Sequence, residues 1–172
     1  MPKLREVPDD VKWHVAARVA SAFPVLYDSA FREAVGERFD EIERPVWIYL
    51  GQEAAKTITA LGLAAGNAPE IADALSVVTT IFFGPETKTE KVKINDERAV
   101  LMVKRCPFLL RHMESGQDPE HLFDRCMAFS IVATESLNKG YTLRFVRSMC
   151  TGDRNCELKI IKKEIIKKED AR

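Results

Sequence analysis

The period of the apolar residues changes near the middle of the chain, and this change most strongly limits its fold. Up to residue 86, apolar residues recur every three or four positions, which is typical of helices. Beyond it, Val92 and Ile94 alternate with lysines, and Leu143 and Phe145 alternate with polar residues, as in half-buried strands. The pattern predicts an α+β fold, with N-terminal helices packed on an antiparallel sheet of about four strands.

Turn and capping residues set the expected bounds of these elements. Proline and glycine divide the first half into helices over 8–23, 25–36 and 45–62, with a break at Pro24. Asn67 and Glu70 resemble a capping box that begins a fourth helix, which ends at Gly84. A further helix is expected over 118–140, where Asp118 caps it, and strands over 90–94, 99–105, 141–149 and 158–160.

The chain is expected to form one domain. Its 172 residues divide into a helical part (1–86), a part with the sheet, a helix and the cysteines (87–163) and a charged tail (164–172). Lysine and arginine number 26, as do aspartate and glutamate, so the balance argues against nucleic acid and anionic membranes as partners. No apolar run suits a membrane span, and no secretion signal is seen, which favours a cytoplasmic protein. Wide apolar stripes on the N-terminal helices favour a homodimer.

All four cysteines lie in the second half of the chain. Cys106 and Cys150 are expected at the ends of two strands, Cys156 at the start of the returning strand, and Cys126 on the inner face of a helix. Because the sheet could gather these positions at one end, four thiolates could bind zinc or an iron–sulfur cluster. The spacing contains no Cys-x-x-Cys pair, so four small apolar core residues are the alternative.

The region around the last two cysteines resembles a known family. Gly-Tyr-Thr-Leu-Arg-Phe-Val at 140–146, followed by Met-Cys-Thr-Gly-Asp-Arg-Asn-Cys at 149–156, is similar to the end of the 4-vinyl reductase domain. That superfamily includes the sensing domains of phenol-responsive activators, and its fold is related to a subunit of the vesicle-tethering transport-particle complex. The resemblance implies zinc held by Cys126, Cys150 and Cys156 with a carboxylate, but Arg147 and Ser148 occupy the carboxylate's expected position.

A closer likeness, over about residues 88–162, is to uncharacterised proteins described by similarity to L-2-amino-thiazoline-4-carboxylic acid hydrolase. It rests on Cys106-Pro107, Gly116, Cys126 and the Gly-Asp-Arg-Asn-Cys segment that ends at Cys156. This resemblance implies one site shared by Cys106, Cys126, Cys150 and Cys156. Zinc is the favoured cofactor because the related sensors use it, and a [4Fe-4S] cluster on the same cysteines is the alternative.

Aromatic residues suggest a pocket between the helices and the sheet. The resemblance implies an enclosed apolar ligand, to which Trp47 and Tyr49 would offer polar tips; plain core aromatics are the alternative. The expected lining is Trp47, Tyr49, Phe83, Phe108 and Phe123.

The three histidines receive other interpretations. His14 lies in an apolar helical stripe and is expected in the core, whereas His112 is expected in solvent, with the lining of a pocket as the alternative. His121 falls five residues before Cys126, so it is expected on a different helix face and is not assigned to the metal.

No acid, base or nucleophile motif is evident, and lysines of the strand at 88–94 are read as a solvated edge. The sequence therefore favours a non-enzymatic, metal-containing sensor or accessory domain that binds a small apolar ligand or a protein partner. The alternatives are an iron–sulfur redox protein, or a hydrolase or reductase of small substrates such as the resemblance implies.

Overall fold

The computed structural model describes residues 3–36, 38–117 and 119–164. Within them, five α-helices and four strands alternate with short turns. The helices are α1 (Asp9–Val35), α2 (Arg38–Ala60), α3 (Ala68–Phe83), α4 (Pro107–Ser115) and α5 (Glu120–Leu137). The strands are β1 (Lys88–Asn95), β2 (Arg98–Arg105), β3 (Tyr141–Arg147) and β4 (Cys156–Lys162).

The four strands form one antiparallel sheet in the order β1-β2-β4-β3. Leu101 of β2 lies opposite Leu158 of β4, and Ile160 of β4 lies opposite Leu143 of β3. These side chains are buried with residues of α3 and α5 in one hydrophobic core. The α+β fold predicted from the change of period is therefore confirmed.

A glycine lets the two longest core helices approach closely. A Cβ atom on Gly51 of α2 would lie 2.6 Å from the backbone oxygen of Phe129 on α5. Only glycine leaves room for that contact, because no real Cβ approaches a backbone oxygen so closely. The close approach of α2 and α5 seals the core on the side opposite the sheet.

Two prolines lie inside helices where the sequence predicted a break and a beginning. The predicted break at Pro24 is wrong, because α1 continues through it from Asp9 to Val35. Ser21 and Val25 are buried on either side of the proline. Their burial offsets the backbone hydrogen bond that the proline removes. Likewise α2 begins at Arg38 rather than at Pro45.

The helix α4 was not predicted, although its ends carry ordinary signals. Pro107 occupies its first turn, and Gly116 ends it with a φ of 70°. Its inner face carries Arg111 and His112, both buried, so the apolar period that predicts a helix is interrupted. The Asn67 cap, in contrast, is confirmed: its side chain accepts a hydrogen bond from the backbone N–H of Glu70 at 3.0 Å.

Two strand predictions also need correction. β1 is largely exposed rather than half-buried, because it is an edge strand paired only with β2. β3 ends at Arg147, and Met149–Thr151 forms a short 3-10 helix in place of further strand. The predicted cap Asp118 and tail residues 165–172 lie outside the described residues.

Candidate ligand cavity

A cavity of about 80 Å³ lies between the helices and the inner face of the sheet. Roughly 10–15 Å³ suffices for one water molecule, so this space has room for a small organic group. Its wall is almost wholly apolar. Aromatic side chains from α2, α3, α4, α5 and β3 form much of it, namely Trp47, Phe83, Phe108, Phe129 and Phe145.

Aromatic contacts hold one side of this cavity together. Phe108 meets Trp47 and Phe83 edge to face, with ring centroids 5.4 and 4.6 Å apart, and Phe83 lies 5.2 Å from Phe129. Such pairs add about 0.5–1.5 kcal/mol each beyond the apolar area that they bury. The wall that faces a ligand is therefore rigid and built from four different helices.

All four cysteines line this same cavity. Cys106 precedes α4, Cys126 lies on α5, Cys150 lies in the 3-10 turn after β3, and Cys156 begins β4. The Sγ atom of Cys156 accepts a hydrogen bond from the backbone N–H of Met149 at 3.3 Å. The structure thus brings together four thiols that lie as much as 50 residues apart in the chain.

Burial keeps these thiols neutral. It raises the pKa of Cys106 to about 11 and that of Cys150 to about 12. The pKa values of Cys126 and Cys156 are also raised, again because burial disfavours the thiolate. At neutral pH the cavity therefore presents S–H groups, which behave as small apolar side chains.

The four cysteines have the donor chemistry of the predicted metal centre, but their side chains are not arranged to hold an ion in common. Four thiolates suit zinc or an iron–sulfur cluster. Yet among the residues that the structure describes, no group of three or more His, Cys, Asp or Glu side chains is placed to hold a metal ion. The thiols as they stand do not form such a group, so the metal centre stays a prediction.

Thr87 places an unpartnered hydroxyl in the cavity wall. Its residue is 8% exposed and lines the cavity, and its Oγ1 has no hydrogen-bond partner in the described part of the chain. A buried hydroxyl without a partner costs about 1–3 kcal/mol, so a ligand that supplies one gains that amount. Sequence reasoning missed Thr87 because nothing in the Pro-Glu-Thr segment after Gly84 indicates burial.

Not every residue predicted for the pocket reaches it. Trp47, Phe83 and Phe108 line the cavity. Tyr49 is 57% exposed on the outer side of α2, so it offers no polar tip inside. Phe123 lies one layer away, where its ring packs edge to face on Phe145 at 5.3 Å.

The histidine predictions for His14 and His112 are both wrong. His14 is exposed on α1, although it lies within an apolar run, because that run faces away from the core. His112 is buried completely, and its Nδ1 lies 3.0 Å from the Phe108 carbonyl oxygen. Burial lowers the pKa of His112, so its ring is neutral at pH 7. His121 lies away from the cysteines, 3.2 Å from an Asp40 carboxylate oxygen.

A cluster of buried charges lies behind the cavity, between α1, α2 and α5. Arg125 on α5 contacts Asp28 of α1 at 3.1 Å and Glu43 of α2 at 2.5 Å. Arg32 bridges Asp28 and Asp40 at 2.7 and 2.6 Å, and it holds the pKa of the Asp40 carboxyl below its usual range. These ion pairs tie together the helices that carry Trp47 and Cys126.

Comparison with known proteins shows which structures have a similar fold, but it assigns the chain to no family. No protein-family model matches the chain, and no curated protein does. At least two solved structures are similar in fold. Neither shares more than 11% of its residues with this chain, so the likeness shows the fold alone.

The first is the phenol-responsive sensory domain of the transcription activator PoxR with phenol, at a TM-score of 0.57 and 11% identity, covering 84% of this chain and 75% of that one. The second is a trafficking protein particle complex subunit 3 from Naegleria fowleri, covalently bound to palmitic acid. Its TM-score is 0.56 at 10% identity, with 87% of this chain and 96% of that one covered. In the described part of this chain, every helix is too short or too polar to span a bilayer.

Proposed function

We propose that this chain is a sensor or accessory domain that binds a small, mainly apolar molecule with one polar group. The observation that carries this proposal is the apolar cavity with the unpartnered hydroxyl of Thr87 in its wall. Ligand sites in proteins are commonly apolar spaces with a few polar atoms that fix orientation. The resemblance to the 4-vinyl reductase superfamily remains part of the proposal.

Two physical effects determine which ligands the cavity favours. Its aromatic wall favours a flat ring, because edge and face contacts with Trp47, Phe83 and Phe108 replace contacts with water. The Thr87 hydroxyl favours a ring that carries a hydrogen-bonding group on one side. Phenol has this chemistry, and the similar sensory domain described as phenol-responsive supports its use as a probe.

Removing the Thr87 hydroxyl tests the proposal. Valine has nearly the same shape, so Thr87→Val is expected to weaken phenol binding about tenfold while toluene binding stays unchanged, because one hydrogen bond is worth roughly 1–1.5 kcal/mol. Isothermal titration calorimetry with both compounds measures this difference. Equal loss for phenol and toluene, or no binding of either by the unaltered chain, would overturn the proposal.

Thr134 provides a matched control. It is fully buried on α5 and lies outside the cavity wall, and its Oγ1 donates to the Ser130 carbonyl oxygen at 2.8 Å. Thr134→Val should cost about 1 kcal/mol of stability and leave phenol binding unchanged. Thr87→Val should cost no stability, since the hydroxyl that it removes has no partner.

A thiolate metal site is kept as a second proposal, supported by the four cysteines that line one cavity. It requires the side chains of Cys106, Cys126, Cys150 and Cys156 to reorient and lose their protons. Zinc would then hold the 3-10 turn to α5 and contribute folding free energy. A [4Fe-4S] cluster would give the purified protein a brown colour and a redox role.

The metal content of the purified protein distinguishes the metal proposal from the ligand proposal. On the metal proposal, protein purified without oxygen contains about one zinc ion or one cluster per chain, and Cys156→Ser lowers that content. Elemental analysis measures it, with Thr87→Val as a control that alters the same cavity without removing a thiol. If the unaltered protein contains no metal, or if Cys156→Ser leaves the content unchanged, Cys156 is not a ligand.

A further inference from the structure

The longest helix turns an apolar face away from the core. Ala17, Ser21 and Val25 of α1 are buried on one side. Val19 and Leu26, on the opposite side, are 51% and 60% exposed. A helix that buries one side in its own domain normally carries polar residues on the other. The outer side of α1 therefore has a second apolar face, which no part of the described chain covers.

The outer face of α1 is large enough for a stable interface. Roughly 600 Å² of apolar side chain is exposed there at ordinary side-chain areas. Monomeric proteins seldom expose a larger apolar patch, and a stable interface buries about 800 Å² per partner, some 65% of it apolar at its core. The area comes from Val11, Val15, Val19, Phe23, Leu26, Tyr27 and the adjoining Val46 of α2.

The spacing on this face matches a helix-pairing seam. Positions 15, 19, 22, 26 and 29 follow one another at intervals of four, three, four and three, with valine, valine, alanine, leucine and serine. Alternating intervals of four and three keep side chains facing one partner helix along its length. A groove between α1 and α2, lined by Phe23, Tyr27 and Val46, runs beside the seam.

When two copies of α1 pair in opposite directions, the outer face of one copy is complementary in size and charge to the outer face of the other. With the symmetry axis between residues 22 and 23, Val19 faces the second copy's Leu26, and Ala22 faces its Phe23, so small side chains meet large ones. Lys12, whose ammonium group also contacts Asp9 of its own helix at 2.7 Å, then faces the second copy's Glu33, an opposite charge. Parallel pairing would place like charges together at both positions, which is unfavourable.

We propose that α1 is the interface of a symmetric dimer, in which it pairs in antiparallel orientation with α1 of a second copy of this chain. The exposed apolar area, the spacing of the seam residues and the facing charges of Lys12 and Glu33 all favour a second copy of this chain as the partner. The interface lies on the outer side of α1, so it goes beyond ligand binding and does not depend on it. Trp47 lines both the groove beside the seam and the apolar cavity, which places the dimer surface next to the cavity's aromatic wall.

Sedimentation equilibrium of the full chain tests the interface. The unaltered protein is expected to be dimeric, and Val19→Glu should raise the dimer dissociation constant at least about tenfold, since it places a charge at the centre of the seam. Val146→Glu is the matched control, because Val146 is similarly exposed, at 58% against 51% for Val19, but lies on β3. Circular dichroism verifies that both variants stay folded. A monomer at all concentrations, or equal effects of the two variants, would overturn the proposal.

Charge reversal tests the antiparallel register. At low salt, Lys12→Glu alone and Glu33→Lys alone should each raise the dissociation constant about fivefold, because each creates two like-charge contacts in the symmetric dimer. The double variant should return it to the original value. Single variants without effect, or a double variant worse than either, would contradict this pairing. So would a monomer that instead binds phosphatidylglycerol vesicles through this face.

Discussion

Arg125→Met is expected to lower the free energy of unfolding by about 3–5 kcal/mol at pH 7. Methionine keeps most of the apolar stem, so the change removes chiefly the charge. Asp28 is almost fully buried beside Arg125, and Glu43 is mostly buried. Without the guanidinium, Asp28 would keep its ion pair with Arg32, whereas Glu43 would lose the cation that faces it at 2.5 Å. Removing one member of a buried ion pair leaves an uncompensated charge, which is why the effect is large.

Urea unfolding measures this loss, and Arg18→Met gives a matched control. Arg18 lies on α1 and contacts Glu114 at 3.7 Å, but both side chains are more than half exposed. Exposed pairs contribute about 0–1 kcal/mol, so this variant should be nearly as stable as the unaltered chain. A loss below about 1 kcal/mol for Arg125→Met would show that the buried cluster does not hold α1, α2 and α5 together.

The second large effect is a fall in stability as the pH rises above about 8.5. An unfolded cysteine loses its proton near pH 8.5, whereas burial raises the pKa of folded Cys106 to about 11. Between these values the folded state binds one more proton than the unfolded state. Stability due to this thiol is therefore fully present below pH 8.5. It is lost as the pH rises, at about 1.4 kcal/mol per pH unit, until the folded pKa is reached.

Urea unfolding at pH 8, 9 and 10 measures the slope. At pH 10 the loss from Cys106 alone should reach about 2 kcal/mol, and Cys106→Ala should remove that part of it. The other three thiols have pKa values shifted in the same direction, so they steepen the curve. A metal held by thiolates predicts the opposite, since protons would displace it and stability would fall towards acid pH. That result would favour the second proposal.

Local patterns in the sequence were sufficient for the fold class and several element ends. The change of apolar period predicted helices before strands, and Asn67 predicted where α3 begins. These features depend on neighbours within one turn or one strand, which a sequence shows directly. The helix through Pro24 could not be predicted in this way, because its continuity depends on burial against other elements.

The site was predictable only in part, for a related reason. Trp47, Phe83 and Phe108 are expected in the lining from their aromatic character and from the family resemblance, whereas the burial of His112 depends on α1 and α5 closing over it. Thr87 lies in a loop, and its isolation from hydrogen-bond partners is a property of the folded surroundings. Likewise, spacing suggested that the cysteines meet but could not show whether they meet as thiolates around an ion or as neutral thiols around a cavity.

A crystal structure of the chain grown with phenol tests the central proposal most directly, because it locates the ligand as well as detecting it. We expect electron density for one ring inside the cavity, against Phe83 and Phe108, with the phenol oxygen within hydrogen-bonding distance of Thr87 Oγ1. Density for phenol only on the surface, or a cavity that stays empty at saturating phenol, would contradict it.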